Sequence, residues 1–119
     1  MERIQPQEII DLVCLMRPNE LGFALDFWLS EIECRVLNEM YDGDESLLTP
    51  ERLLLGYPYG DVYWTHLLSM VDLATGNLES YKISRAMADK AWSYFIRTFD
   101  KEKYVDDRYP LPTTGGEEG

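Results

Sequence analysis

Apolar residues along this chain recur at intervals of three and four almost throughout, which predicts helices rather than strands. The first block is QPQEIIDLVCLMR over residues 5–17, with Ile9, Ile10, Leu12, Val13 and Met16 making a broad apolar face. Pro6 suits its first turn, Glu8 and Asp11 complement its N-terminus and Arg17 its C-terminus. Pro18 then stops the helix, since the residue before a proline is pushed out of helical geometry. A second helix, capped by Asn19, runs to about Tyr41 with Leu25, Trp28, Leu29, Ile32, Val36 and Met40 on one face. Asp26, Glu31, Glu33 and Glu39 fall largely on the other, and Gly22 predicts a ragged first turn.

Asp42–Ser46 reads as a loop, and Leu47–Leu55 as a connector whose three final leucines cross the helices in extended form. Thr49–Arg52 has the residues to start one helical turn, and a strand formed here would need a partner from another subunit. The turn-rich stretch Gly56-Tyr57-Pro58-Tyr59-Gly60 leads to Asp61, an N-cap candidate for a helix over about 62–75. Gly76 supplies a left-handed C-terminal residue and Asn77 an N-cap, so a further helix continues from Leu78 to about Phe99 or Lys101. So short a connection predicts an antiparallel hairpin. Tyr81, Ser84, Ala88, Ala91, Trp92, Phe95 and Phe99 form its buried stripe, answered by Val62, Leu67, Met70, Val71 and Ala74.

The pattern therefore predicts an all-α fold: a small bundle of about four helices with a C-terminal antiparallel hairpin. Residues 1–101 make the helical domain and 102–119 an extended acidic tail. That tail is unlike the rest of the chain. Its aromatic, acidic and proline residues predict disorder in isolation, yet Tyr104, Val105, Tyr109 and Leu111 are anchors of the kind an extended segment uses to dock on a partner.

At 119 residues with 45% hydrophobic content, the chain has material for one modest core. A net charge of −11 disfavours binding to nucleic acid or anionic membrane and keeps an aromatic-rich surface in solution. No apolar run approaches the roughly 20 residues of a membrane span, and Met1–Ile4 lacks the basic start of a signal peptide. Function in, or assembly from, the cytosol is expected. Cys14 and Cys34 lie within apolar helical patterns and read as buried thiols. Asp42, Asp44 and Ser46 open like a calcium loop, but Leu47 stands where the glycine is needed and Leu53 where a glutamate is.

No phosphate-cradling glycine loop, HExxH or GxSxG motif is present, and the lone His66 reads as a half-buried helical residue. No catalytic, cofactor-binding or metal-binding residue is assigned. The residues point to protein binding or assembly ahead of an enzyme.

The hairpin carries a more specific pattern. After the Pro58-Tyr59 lead-in come Met70-Val71-Asp72, Ala74 and Gly76, then Tyr81, Ser84, Ala86-Met87, Ala91, Trp92 and Phe95. Over these roughly 45 residues it resembles the head-to-tail connector, or adaptor, proteins of tailed bacteriophages and prophages of Gram-positive hosts. Ala88-Asp89 and Thr98-Phe99 depart from the Phe-Asn and Trp-Tyr pairs frequent there.

The resemblance implies a non-enzymatic virion protein, assembled in the bacterial cytoplasm and resident in the particle's neck. It would form a homo-oligomeric ring, twelve-fold in the particle, between the portal protein and the next neck or tail-completion protein. DNA would pass through the ring without specific binding, no membrane would be involved, and the Tyr104–Leu111 segment would dock on the portal or the next ring. The alternative from charge and size alone is an acidic helical regulator that binds and inhibits a basic, DNA-binding protein.

Overall fold

The computed structural model describes residues 2–99. Four helices carry the fold: α1 (Pro6–Met16), α2 (Gly22–Tyr41), α3 (Asp61–Ala74) and α4 (Leu78–Thr98). A single 3-10 turn, Glu45–Leu47, interrupts the long α2–α3 connection, and no strand forms among the described residues. The protein is all-α. The tail anchors Tyr104, Val105, Tyr109 and Leu111 lie outside the described residues.

Helix α1 starts where Glu8 accepts a hydrogen bond from the Gln5 amide at 3.0 Å, and it buries Ile9 and Val13 completely. Asn19 does not cap α2. Its side chain instead closes the preceding loop, donating to the Arg17 carbonyl at 2.7 Å and accepting from the Leu21 amide at 2.9 Å. The helix accordingly begins only at Gly22. Asp42 ends it in the left-handed region at φ 55°.

The helical turn falls at 45–47 rather than at 49–52, because Asp44 accepts from the Ser46 amide and draws the chain round there. Beyond it the chain bends at Pro50, Glu51 and Leu54, and Leu53, Leu54 and Leu55 are buried. The partner of this segment is the chain's own N-terminus, not another subunit. Ile4 donates to the Leu55 carbonyl at 3.2 Å and accepts from the Leu53 amide at 2.8 Å. Arg3 adds guanidinium bonds to the Leu53 and Arg52 carbonyls. Backbone groups that would otherwise be buried unpaired are satisfied by this short antiparallel bridge.

Helices α3 and α4 pack on each other most extensively, with α2 and α1 laid against α3. The connection between them is Thr75-Gly76-Asn77, with Gly76 at φ 77° and Asn77 accepting from the Ser80 amide at 3.3 Å. Asp72 and Ser84 touch near this turn, whereas Tyr59 and Thr98 touch at the far end, so the two helices run in opposite directions. Asp61 opens α3 as its first residue, and its carboxylate accepts from the Trp64 indole at 2.7 Å instead of capping a backbone amide.

One contiguous core joins Ile4, the inner faces of the four helices and the leucine connector. From α4 only Ser84 and Phe95 are fully buried; Tyr81, Ala88, Ala91, Trp92 and Phe99 are half-buried along the margin of the stripe. Ala74 is exposed at the end of α3, beyond the reach of the α4 face it was expected to meet. Cys34 is likewise exposed rather than buried, Cys14 is half-buried, and both are free thiols.

Candidate functional site: a buried polar joint and an apolar groove

Helix α3 carries two carboxylates, exposed Asp61 at its start and Asp72 in its last turn, and Asp72 is turned into the core. At 0% exposure it would be costly to leave unpaired. Three donors meet it. Arg17 approaches from the end of α1, with Nε 2.7 Å from one carboxylate oxygen and Nη2 3.3 Å from the other. The Ser84 hydroxyl of α4 donates to that second oxygen at 2.8 Å. A carboxylate from α3, a guanidinium from α1 and a hydroxyl from α4 thus fix three helices at one point. This fork-shaped pairing sets the end of α1 against the turn end of the α3–α4 pair.

Two of the residues singled out in the hairpin pattern, Asp72 and Ser84, are therefore in direct contact. Gly76 forms the turn beside them. Trp92 and Phe95 belong to a different part of the structure, an aromatic cluster at the open end. Phe95 packs on Trp92 and Tyr59 at centroid distances of 5.3 and 5.4 Å, and Tyr59 also meets Tyr94 at 5.9 Å. Its hydroxyl lies 3.0 Å from the Thr98 hydroxyl. The Arg35 guanidinium of α2 stacks over the Trp92 ring at 4.0 Å, so this indole is covered by a cation. Met87 and Ala91 line a groove, and Tyr81 is half-buried near the turn end.

A second buried carboxylate was not legible as such. Glu33, placed with the solvated face of α2 by its charge, lies 8% exposed in the core. It accepts from the Leu54 amide and from the Tyr63 hydroxyl, both at 2.7 Å, and Tyr63 in turn accepts from the Leu55 amide at 2.9 Å. The pair pins the leucine connector to α2 and α3, where non-helical backbone has no helix to satisfy it. Spacing carried the signal for both acids: Glu33 falls four after Leu29 and three before Val36, and Asp72 four after Leu68.

His66 sits between α3, α2 and α4 with its side chain 12% exposed and Nε2 3.5 Å from Glu31. Burial pushes its pKa below the usual imidazole value, nearby Glu31 opposes this, and the Arg85 and Arg35 charges add to the lowering. The ring packs between the helices with Glu31 as its ion-pair neighbour. Among the described residues no group of three or more His, Cys, Asp or Glu side chains is arranged to hold a metal ion. No described helix is long and apolar enough to cross a membrane.

The groove lies at the open end of the α3–α4 pair and has a volume of about 480 Å³. Pro58, Tyr59, Asp61, Val62, Trp64 and Thr65 form one wall; Met87, Ala91 and Tyr94 form the other, with Lys90 and Arg97 beside them. Gly60 lies behind the first wall. A Cβ there would come within 2.7 Å of the Tyr57 ring, so glycine permits the tight approach of this turn.

At the opposite end, Leu73 and Leu78 flank the turn and are 44% and 58% exposed. Phe23 and Phe27, one turn apart at the start of α2, are 90% and 64% exposed. The loop leading to them is the one Arg17 ties to Asp72.

Comparison with protein-family models, with curated proteins and with solved structures finds no match to this chain.

Proposed function

We propose that this chain is a structural subunit that joins two larger components, as the head-to-tail connectors of tailed bacteriophages do. The reading is of a homo-oligomeric ring beneath the portal protein in the virion neck, leaving a channel for DNA and meeting the next neck or tail component on its other side. One observation carries the reading: apolar side chains are exposed at both ends of the α3–α4 pair. Leu73 and Leu78 mark one end, with Phe23 and Phe27 at the head of α2, and the aromatic groove marks the other. Isolated exposed hydrophobes are ordinary, but an exposed Phe pair and an aromatic groove on so small a body are characteristic of docking surfaces.

Different patches on one subunit support head-to-tail association, which closes into a ring when the rotation between copies allows. The acidic composition supports a channel wall past which DNA slides without sticking. The same charge favours the alternative, an acidic inhibitor of a basic DNA-binding protein.

Native mass measured across a concentration series, with and without the portal protein of the same particle, separates the two. Rings, or stoichiometric recruitment of the chain by portal, are expected. Phe27→Asp should weaken that association while leaving the helical content intact, since Phe27 is exposed in the free subunit. A strict monomer that ignores portal and captures a purified basic protein instead would replace the connector reading with the regulator.

A further inference from the structure

The groove at the open end has a chemistry different from the rest of the molecule. Helix α4 carries Lys82, Arg85, Lys90 and Arg97 against Glu79 and Asp89, and among the described helices it alone has more cations than acids, in a chain of net charge −11. Lys90 and Arg97 line the groove, and neither forms an ion pair with a described residue. Beside them lie the apolar side chains of Met87, Ala91 and Tyr94, and the one acid lining the facing wall, Asp61, has its carboxylate engaged by the Trp64 indole. Such a surface suits an extended acidic segment with aromatic or aliphatic anchors.

The sequence holds that segment. Twenty residues follow Phe99, with six acids against three cations, and within them Tyr104-Val105-Asp106-Asp107-Arg108-Tyr109-Pro110-Leu111-Pro112 alternates anchors with charge. The chain leaves α4 beside the groove, because Thr98 contacts Tyr59, a wall residue. From Arg97 back to Met87 the groove follows ten residues of helix, about 15 Å. Residues 99 to 104 can cover up to about 17 Å, enough for a reversal, and Tyr104–Pro112 then exceeds the groove's length. A tethered segment this close faces its site at an effective concentration of order millimolar.

We propose that in the free subunit the groove between α3 and α4 is occupied by residues 104–112 of the same chain, with Asp106 and Asp107 meeting Lys90 and Arg97. The assignment goes beyond the connector reading, which uses the same groove as a docking surface, and is tested apart from it. It makes the open end a self-covered surface, available to a larger partner only by exchange.

Amide hydrogen exchange on the intact chain at low micromolar concentration tests it. Residues 104–112 should exchange at least about tenfold more slowly than in a free peptide of residues 102–119. The double variant K90E/R97E, altered only at exposed side chains, should keep its far-UV circular dichroism and lose that protection. Tyr109→Ser with Leu111→Ser should lose it too, without any change on the groove side of the charge balance. Tail amides as fast as the free peptide, or protection unaltered by K90E/R97E, would overturn the proposal. So would protection that grows with protein concentration, which would assign the groove to the segment of a second copy. None of these readouts involves portal binding, so a failed docking and a failed connector reading are told apart.

Discussion

Asp72 shows how much of this fold rests on single polar side chains. Arg17 is 36% exposed while its carboxylate partner is 1% exposed, so the two ends of the pair respond differently to removal. Arg17→Ala leaves the buried carboxylate with the Ser84 hydroxyl alone, and should lower unfolding free energy by about 2–3 kcal/mol in urea titrations. Ser84→Ala, which keeps the guanidinium, should cost less, about 1 kcal/mol. His66 sets a pH dependence of opposite origin. Its folded pKa lies below that of the unfolded chain, so between the two values the unfolded state binds more protons. Stability contributed by the neutral ring is complete above the unfolded value near 6.5 and is lost as pH falls through the lowered folded value. Thermal unfolding of His66→Gln compared with the parent chain should show a shallower loss between pH 7.5 and 5.5.

Among the elements, the α3–α4 connection was the most legible in sequence. Gly76 and Asn77 are residues whose chemistry dictates backbone geometry locally, and both do at φ 77° and at the Ser80 amide what their types require. A Cβ at Gly76 would meet nothing within 4 Å, so Gly76→Ala isolates the conformational cost. It should destabilise by about 1 kcal/mol, and Gly76→Asn by less, in the same denaturant assay. Helix existence and the α2 core positions Leu25, Leu29, Ile32, Val36 and Met40 followed from periodicity for the same local reason, whereas buried Leu37 lay outside the expected face. The misreadings share a cause as well. Asn19, Asp61 and Glu33 all carry side chains that can satisfy several kinds of donor, and their partners (the Leu21 amide, the Trp64 indole, the Leu54 amide) are chosen by tertiary placement. Cys34 was misassigned because a helix position beside an apolar stripe is inside or outside according to which neighbour arrives, and among the described residues none covers it. The groove itself was invisible in sequence: its two walls come from the residues around Asp61 and those around Ala91, thirty positions apart.

On the scale of the whole molecule, the long-range bonds have an unusual order in the sequence. Ile4 is 1% exposed, yet its backbone partners are Leu53 and Leu55, and the Arg17 that ends α1 waits for Asp72. Loop-closure entropy must be met before such pairings are favourable. During synthesis the first helix therefore leaves the ribosome with its apolar face uncovered. It stays so until some fifty further residues have followed it. At translation speeds of roughly 5–20 residues per second that is an interval of several seconds. For that time the nascent chain is a client for any cellular factor that shields apolar helices.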